Sequence, residues 1–347
     1  MSKSKSIIFI LTVYFLSAAG YAGATELFEP YLKVYGSIRP AVSSKTGQSL
    51  SRAKLAMNRI FLNIDRDFCQ EKFGFHTLTE YQEGKNGHYP DEWWLDEGYF
   101  YYKPAFGTLK AGKVYNPFGL LWDHTFYGSM PFYKGYMSDA DYGLTFQRQE
   151  TLKENLKLEW TGGYFIRDDG LNGETVRGVG FEFKTKGERS TFELRLNPRL
   201  KINEKSSFEL GLSGLFGKVK GETSDRQAAG EVDAIYKYGP LALTGECVFY
   251  DKAYPRKDKT LRGDTFFVEG NFKAYNNPGS KILKGIVLNY NYSRDEPAAG
   301  ATTGQMQQPS VTFQFTRFFK TEVTFVDWTN DTSTVDRSWF MVFTLDY

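Results

Sequence analysis

The chain has 347 residues, of which 17% are aromatic and 24% charged, and its formal net charge is +2 at pH 7. So small a positive charge excludes the strongly basic surface that a nucleic-acid-binding protein needs. The mean hydropathy is negative, and no segment after residue 24 has the run of about 18 apolar residues that a membrane-spanning helix requires. Many aromatic residues on a polar background favour strands with one apolar and one polar face.

The first 24 residues have the pattern of a secretory signal peptide. Lys3 and Lys5 precede an apolar run over residues 7–16, and the small residues 22–24 follow it. This run is shorter than the ~20 residues that cross a bilayer, and no stop-transfer pattern follows it. We expect cleavage after Ala24, which leaves residues 25–347 as one domain.

Two cysteines, Cys69 and Cys247, occur in the chain. A pair so far apart in an exported chain of this size is not a disulfide framework. Cys69 falls in a predicted turn and Cys247 in the middle of a predicted strand. We therefore interpret them as two unpaired thiols, with a disulfide as the alternative.

Alternating polarity runs through the chain from residue 32 onwards. In the segment 156–167, apolar residues such as Leu158 and Trp160 alternate with polar ones such as Lys157 and Glu159. A period of two is that of a β-strand with one face in an apolar medium and the other in water. A soluble β-sandwich would alternate in the same way.

The connections and the aromatic residues favour a transmembrane barrel over a sandwich. The links at 239–240 and 319–320 are tight, whereas the segments 253–263, 294–308 and 329–336 are long and polar. Short turns at one end and long loops at the other are typical of outer-membrane barrels. Aromatic residues also cluster near predicted strand ends, at 93–94 and 99–102, where interfacial girdles would need them.

Strand-like runs number 17, and a single-chain bacterial barrel needs an even number. The alternation of long and short connections fails between residues 167 and 230, so we place the error there. We predict an all-β, closed antiparallel barrel of 16 strands, with 14 or 18 as alternatives. The runs begin near residues 32, 55, 72, 94, 107, 141, 156, 177, 190, 206, 229, 241, 265, 283, 310, 320 and 337.

The last strand resembles the C-terminal signal that the outer-membrane assembly machinery reads in bacterial barrels. That signal is a terminal aromatic residue preceded by alternating hydrophobic residues, and Tyr stands here in place of the commoner Phe. The residues that carry the resemblance share one face of the strand: Trp339, Met341, Phe343, Leu345 and Tyr347.

Residues 107–120, with the sequence GTLKAGKVYNPFGL, resemble the strand and loop entry of the Gram-negative porin superfamily, which includes the phosphate-selective porins O and P. The motif is short, but the signal peptide, the alternating strands and the last strand extend the resemblance along the chain. It implies a barrel in the outer membrane of a Gram-negative-type bacterium. The implied partners are lipid, small hydrophilic solutes and ions, the barrel-assembly machinery and, as in many porins, two further copies in a homotrimer.

Residues 116–140 are the longest stretch without a clear period. In porins the comparable third loop folds into the lumen and narrows it, so the resemblance implies a constriction here. A few fixed charges at the neck of a water-filled pore bias which ions enter. A packed plug or an outer lid is the alternative, because the stretch is also rich in apolar residues. The constriction candidates are Asp123, His124, Lys134, Asp139 and Asp141.

Strand parity also predicts which charged residues face the lumen. The two signs nearly balance among them, whereas a pore dedicated to phosphate would show a one-sided series of Arg and Lys. The candidates are Lys33, Arg39, Arg59, Lys157, Arg167, Arg195, Lys237 and Lys273 on the cationic side and Asp65, Glu80, Glu159, Glu193, Glu231, Asp233, Glu246, Glu269 and Glu322 on the anionic side.

We therefore expect a passive diffusion channel for ions and small polar solutes, weakly selective, with no catalysis, no metal and no cofactor. One alternative is an anion- or phosphate-selective porin. Another is a barrel sheath around an electron-transfer partner, which would have to supply the haem because the chain has no C-x-x-C-H site. A third is an outer-membrane hydrolase, for which no G-x-S-x-G elbow is present.

Overall fold

The structure is a computed structural model. The residues it describes contain no helix that is long and apolar enough to span a membrane. These residues are 32–45, 54–68, 72–82, 92–120, 140–167, 188–219, 226–253, 260–297, 304–330 and 336–346.

Sixteen antiparallel strands form one closed barrel. Each strand pairs with the strands before and after it in the sequence, and β1 pairs with β16 to close the ring. The strands are β1 Leu32–Lys45, β2 Lys54–Phe68, β3 Phe73–Gln82, β4 Glu92–Tyr102, β5 Thr108–Tyr115, β6 Ala140–Lys153, β7 Leu156–Arg167, β8 Glu188–Lys201, β9 Ser206–Val219, β10 Arg226–Tyr238, β11 Leu241–Ala253, β12 Thr260–Asn276, β13 Gly285–Pro297, β14 Gly304–Gln314, β15 Phe319–Asn330 and β16 Asp336–Asp346.

The predicted fold is confirmed, including the count of 16 strands. Every predicted run matches a strand of the barrel except the one near residue 177, which lies outside the described residues. β7 pairs directly with β8, from Leu156 opposite Leu200 to Phe165 opposite Thr191. The barrel therefore closes without a strand between β7 and β8. The extra predicted strand falls between residues 167 and 230, where the long and short connections fail to alternate.

The connections separate the two ends of the barrel. The turns after the even-numbered strands include 154–155, 202–205 and 239–240, and we call this the short-turn end. The other end, the loop end, carries the connections after the odd-numbered strands, including the long segments 116–139 and 168–187.

Strands extend further towards the loop end than the sequence predicts. The predicted loop 294–308 shrinks to 298–303 because β13 and β14 continue to pair beyond their apolar segments. There Tyr290 and Tyr292 on the outer face donate hydrogen bonds to Gln307 (3.1 Å) and Gln305 (3.3 Å). At the short-turn end, the tight link predicted at 319–320 lies at 315–318, because Phe319 already begins β15.

Large apolar side chains cover the outer face. Ile166 and Phe192 are each 60% exposed and Leu194 is 48% exposed. A surface of this kind is stable against lipid and unfavourable against water. It is the outer face of a barrel that crosses a membrane.

Aromatic pairs mark both edges of the apolar surface. At the short-turn end, Phe73 stacks on Tyr102 with ring centroids 4.6 Å apart, and at the loop end the rings of Tyr81 and Trp93 are 5.3 Å apart. The predicted aromatic run 99–102 divides between the faces, because successive residues of a strand point in opposite directions. Phe100 and Tyr102 face outward, whereas Tyr99 and Tyr101 face the lumen.

Cys247 is a free thiol on the outer face of β11, opposite Val232 of β10. Cys69 lies outside the described residues, so its state stays a prediction. Four residues of the predicted assembly signal, Trp339 to Leu345, alternate on the outer face of β16, and Tyr347 lies outside the described residues.

We predict that charge on the outer face destabilises the barrel and that charge on the inner face does not. Leu194→Arg places a guanidinium at mid-strand against lipid and should lower the free energy of unfolding by about 2–4 kcal/mol. Urea unfolding of the barrel in lipid vesicles measures this change. Thr244→Arg is the matched control, because it points inward beside Glu269 and should be nearly neutral; equal losses for both variants would contradict the assignment of the faces.

Candidate functional site

The lumen is the candidate site, and its wall is polar. Polar side chains alternate on every strand with the apolar ones that face outward, and many are covered on the inside of the barrel. Those on β8 to β13 with 8% exposure or less include Thr191, Glu193, Asn197, Ser213, Glu231, Asp233, Glu246, Thr265, Glu269, Asn291 and Ser293.

The structure describes the side chains of fifteen of the seventeen predicted lumen charges and places them on this inner face. The other two, Arg59 and Arg167, belong to β2 and β7, but their side chains lie outside the described part of the structure. What each charge does to a passing solute stays a prediction. The fifteen are Lys33, Arg39, Lys157, Arg195, Lys237, Lys273, Asp65, Glu80, Glu159, Glu193, Glu231, Asp233, Glu246, Glu269 and Glu322.

An acidic network on β8, β9 and β10 is organised by Arg195. Its guanidinium lies 3.2 Å from Glu231 and 2.5 Å from Asp233, and it also donates to the hydroxyl of Ser213 at 3.0 Å. Both carboxylate side chains are fully covered, and the Arg195 side chain is 12% exposed. Because buried charges need partners, this arginine is the group that makes two adjacent buried carboxylates tolerable.

The start of the predicted long loop lies inside the barrel, against this wall. We call residues 116–120 the inner segment. Phe118 is 1% exposed and packs on Leu215 and Val248, which face inward from β9 and β11. The backbone N–H of Gly119 donates to Ser213 Oγ (3.1 Å). The chain therefore crosses from β5 to the β9–β11 wall through the lumen.

The close approach of Gly119 to Glu246 explains why the inner segment has a glycine at this position. Gly119 has φ = 75°, and a Cβ there would lie 2.2 Å from Glu246 Oε1. The same carboxylate oxygen accepts a hydrogen bond from the N–H of Leu120 at 3.3 Å. Only a glycine fits both the left-handed backbone and the close approach, so the Pro-Phe-Gly motif is a docking segment for the inner wall.

Four of the constriction candidates, Asp123, His124, Lys134 and Asp139, lie outside the described residues, and their role stays a prediction. The fifth, Asp141, lies in the wall and not in a loop. β6 begins at Ala140, the last residue of the predicted loop, because Ala140 and Asp141 pair with the last residues of β5. Asp141 is 1% exposed and accepts a hydrogen bond from Asn116 Nδ2 at 3.2 Å, which ties the inner segment to β6.

A second polar cluster lies on the inner face of β2 to β4. His76 Nδ1 is 2.5 Å from Asp65 Oδ1, and its Nε2 is 3.6 Å from Glu97 Oε2. The imidazole also lies against the ring of Tyr99, with centroids 5.0 Å apart. Both ring nitrogens thus face carboxylates, and neither faces a hydroxyl that could act as a nucleophile.

The cluster continues towards the short-turn end. Tyr101 donates a hydrogen bond to Asp67, and Lys33 of β1 lies 3.7 Å from the same carboxylate. Lys110 of β5 lies over the ring of Tyr99 at 4.7 Å. Opposite charges are interleaved here, so this part of the wall is close to neutral.

The wall formed by β12 to β14 carries mainly amides and hydroxyls. Asn271 and Asn291 donate to the two oxygens of Glu269 at 2.7 and 3.3 Å. Asn289 Nδ2 lies 3.1 Å from Ser310 Oγ. Apart from the Glu269 carboxylate, these groups present hydrogen-bonding capacity without charge, which suits water and polar solutes.

Within the described ranges, no group of three or more His, Cys, Asp or Glu side chains could hold a metal ion.

Sequence reasoning missed the contacts that join separate strands. Ser213 and Glu246 have the inward parity, but their bonds to the inner segment span 94 and 126 residues in sequence. The relevant signal was the Pro-Phe-Gly sequence itself, since a glycine after an aromatic residue suggests close backbone approach. The wall residues that the Pro-Phe-Gly sequence contacts could not be predicted without the strand register.

No protein-family model matches the sequence, and no curated protein sequence matches it. Solved structures share the fold. OprB of Pseudomonas putida, at high pH, superposes with a TM-score of 0.65 at 12% identity, covering 94% of this chain and 96% of that one. OmpF of Salmonella typhi, in complex with daunomycin, has a TM-score of 0.62 at 12% identity, with 91% and 97% covered. The outer membrane channel DcaP of Acinetobacter baumannii has a TM-score of 0.60 at 11% identity, again with 91% and 97% covered. At these identities the likeness shows the barrel fold alone.

We predict that Gly119→Ala destabilises the docked inner segment. The new methyl group would collide with Glu246 in a backbone conformation that alanine disfavours, at a cost of roughly 1–3 kcal/mol in the free energy of unfolding. Urea unfolding in vesicles measures it. Gly214→Ala is the control, since a Cβ there meets nothing within 4 Å; a neutral Gly119→Ala would show that the segment is not held as described.

Arg195→Gln should be far more damaging than Arg199→Gln. Loss of Arg195 leaves Glu231 and Asp233 buried without a cation, which costs roughly 3–5 kcal/mol at neutral pH. Arg199 also contacts two carboxylates, but its side chain is 44% exposed, and such pairs contribute about 1 kcal/mol or less. The same unfolding measurement compares the two variants, and similar losses would argue against a buried network.

Proposed function

We propose that this chain is an outer-membrane porin, a passive diffusion channel for ions and small polar solutes. In this proposal the barrel stands in the outer membrane of a Gram-negative-type bacterium, its partners are lipid and the barrel-assembly machinery, and it assembles as a homotrimer. It carries out no catalysis and needs no cofactor.

One observation carries the proposal: a closed ring of sixteen strands whose outer face is mainly apolar and whose inner face, among the described residues, is mainly polar. An apolar exterior bounded by aromatic pairs is stable in lipid, and a wall of amides, hydroxyls and charges is stable against water. A barrel of sixteen strands is wide enough to enclose an aqueous channel. A path for hydrophilic solutes across a membrane is the function that this combination supports best.

The wall charges support weak selectivity. The His76 cluster interleaves acids and bases, Lys33 is paired with Asp67, and the β12 to β14 wall offers mainly neutral groups. A transported ion would therefore meet compensated charge over much of the described surface, and general diffusion fits this better than dedicated phosphate transport.

The hydrolase alternative receives no support from the described wall. His76 is the one histidine whose side chain the structure describes, and carboxylates face both of its nitrogens. General-base activation of a hydroxyl needs a nitrogen within hydrogen-bond reach of that hydroxyl. The sheath alternative would require an empty bore, whereas the inner segment already occupies part of the lumen.

Planar-bilayer recording tests the proposal. Purified protein should produce stepwise increases in conductance, because each inserted barrel opens an aqueous path. Folded protein, identified by its heat-modifiable migration on gels, that produces no steps would overturn the proposal.

Cysteine modification shows whether current flows through the lumen. In a background with Cys69→Ser and Cys247→Ser, Thr244→Cys places a thiol on the inner face, and Leu243→Cys places one on the outer face of the same strand. A charged, water-soluble thiol reagent should reduce the conductance of the first variant and leave the second unchanged. Equal responses would mean that the current does not follow the lumen.

A further inference from the structure

Two neighbouring turns at the short-turn end present apolar side chains to the outside of the protein. They are the β12–β13 turn, 277–284, and the β14–β15 turn, 315–318. Ile282 is 79% exposed, more than any other large apolar side chain in the described ranges, and Phe318 is 38% exposed. Such residues in a turn are unfavourable in water, and an exposed apolar patch indicates a surface that something apolar covers.

Side-chain hydroxyls hold both turns in place. Ser280 Oγ accepts a hydrogen bond from the backbone N–H of Ile282 at 3.4 Å, and Thr316 Oγ1 accepts one from the N–H of Phe318 at 3.1 Å. The turns are also joined to each other, because the N–H of Lys284 donates to the carbonyl oxygen of the last residue of β14 at 2.7 Å. The two exposed apolar side chains therefore belong to one continuous surface.

Three cations lie on the same surface. Lys281 and Arg317 are exposed and Lys284 is half-buried. The Arg317 guanidinium lies over the ring of Phe318, 4.3 Å from its centroid. Among the described residues, no ion pair involves any of the three. We call Lys281, Ile282, Lys284, Arg317 and Phe318 the turn patch.

The turn patch has a surplus of positive charge. The acid at this edge, among the described residues of the two turns and the adjoining strand ends, is Asp346 of β16. Its backbone N–H donates to the carbonyl oxygen of Phe318 at 2.8 Å. Three cations thus lie beside one carboxylate, and the patch attracts anions.

The turn patch continues the lipid-facing wall. Tyr275 is the last residue but one of β12 and is 38% exposed, and Leu345 is the last residue but one of β16 and is 44% exposed. The apolar outer face therefore extends to the base of both turns. Aromatic residues and the cationic ends of Lys and Arg side chains are typical of the next layer, where the lipid headgroups lie.

From this arrangement we propose that the turn patch binds the headgroup of an anionic glycerophospholipid in the leaflet at the short-turn end. The three cations contact the phosphate, and Ile282 and Phe318 pack against the adjoining part of the acyl chains. The inference rests on the membrane location given in the proposed function and does not depend on conduction.

The combination of groups selects a lipid over a soluble anion. Inorganic phosphate would satisfy the cations but would leave Ile282 and Phe318 in water. An uncharged lipid would cover the apolar side chains but would leave three cations without a counter-charge. A phosphate attached to acyl chains meets both requirements, as for other basic and apolar surfaces that lie at a membrane interface.

Lipid titration of the purified full chain in a non-ionic detergent tests the proposal. Phosphatidylglycerol and phosphatidylcholine are added separately, and native mass spectrometry measures the fraction of barrels that carry a lipid. Phosphatidylglycerol should bind at least about tenfold more tightly, because each Lys or Arg near anionic lipid strengthens the attraction about fivefold. Heat-modifiable migration on gels confirms that each protein is folded.

The triple variant Lys281→Gln/Lys284→Gln/Arg317→Gln should lose most of this preference for phosphatidylglycerol. The matched control is Lys157→Gln/Lys201→Gln/Lys273→Gln, which removes the same charge at the same end. These lysines are also exposed and without an ion pair among the described residues, but they face the lumen, where lipid does not reach. The control should bind phosphatidylglycerol as the unmodified chain does.

A third variant separates lipid from free phosphate. Ile282→Ser removes apolar area that acyl chains would cover and should weaken the binding of phosphatidylglycerol about fivefold. Its side chain is almost fully exposed, so the fold should be unaffected. Inorganic phosphate, added as a competitor, should not displace the lipid.

A preference for phosphatidylglycerol that is lost in the triple variant, kept in the control and weakened by Ile282→Ser supports the inference. Equal binding of the two lipids, or equal losses in the triple variant and the control, overturns it. Displacement by inorganic phosphate with no effect of Ile282→Ser also overturns it, since the site would then recognise a soluble anion.

Conductance in planar bilayers separates this inference from the proposed function. Barrels that conduct but show no lipid preference overturn the inference and leave the channel function standing. Folded barrels that keep the lipid preference and do not conduct overturn the channel function alone.

Discussion

Closure of the sheet is the constraint on which the rest of the structure depends. Within hydrocarbon no water is available for the backbone, so each N–H and C=O must pair with another strand, and a sheet with free edges cannot meet that demand. Pairing of β1 with β16, from Ser37 opposite Asp346 to Lys45 opposite Ser338, removes the last two edges. An antiparallel ring requires an even number of strands, and closure gives every residue an inward or an outward direction.

The inward-facing residues impose a second requirement. Where the inner segment covers the wall, the polar side chains beneath it need hydrogen-bond partners. The acidic network and the inner segment solve this together. Ser213 accepts from both the Arg195 guanidinium and the Gly119 backbone, and Glu246 accepts from Leu120. Backbone donors of the inner segment are thus satisfied by covered side chains of the wall. The docked segment and the acids of the wall therefore depend on each other.

Period and parity were enough to predict the strands, the faces and the barrel from sequence, because alternation is a local property that each strand displays by itself. The fifteen lumen charges with described side chains all have the inward direction for this reason. Register and depth are not local. The run near residue 177 is the one predicted run without a matching strand. Its residues alternate as those of a strand do, yet β7 and β8 pair directly. Asp141 was grouped with a loop because the pairing of Ala140 with Tyr115 cannot be seen in one segment.

The depth at which each charged residue lies in the barrel changes how the near balance of lumen charges is interpreted. Counted along the sequence, cations and anions nearly cancel; placed on the wall, exposed lysines lie at the short-turn mouth and covered carboxylates lie further in. Hydration explains this order. An ammonium group is strongly hydrated and sits on a long flexible stem, so Lys157, Lys201 and Lys237 remain where water reaches them. A guanidinium is more weakly hydrated and offers several donors in one plane, which lets Arg195 enter the covered layer and serve Glu231, Asp233 and Ser213 at once. The exposed positions of these lysines and the covered position of Arg195 thus follow from how strongly each group is hydrated.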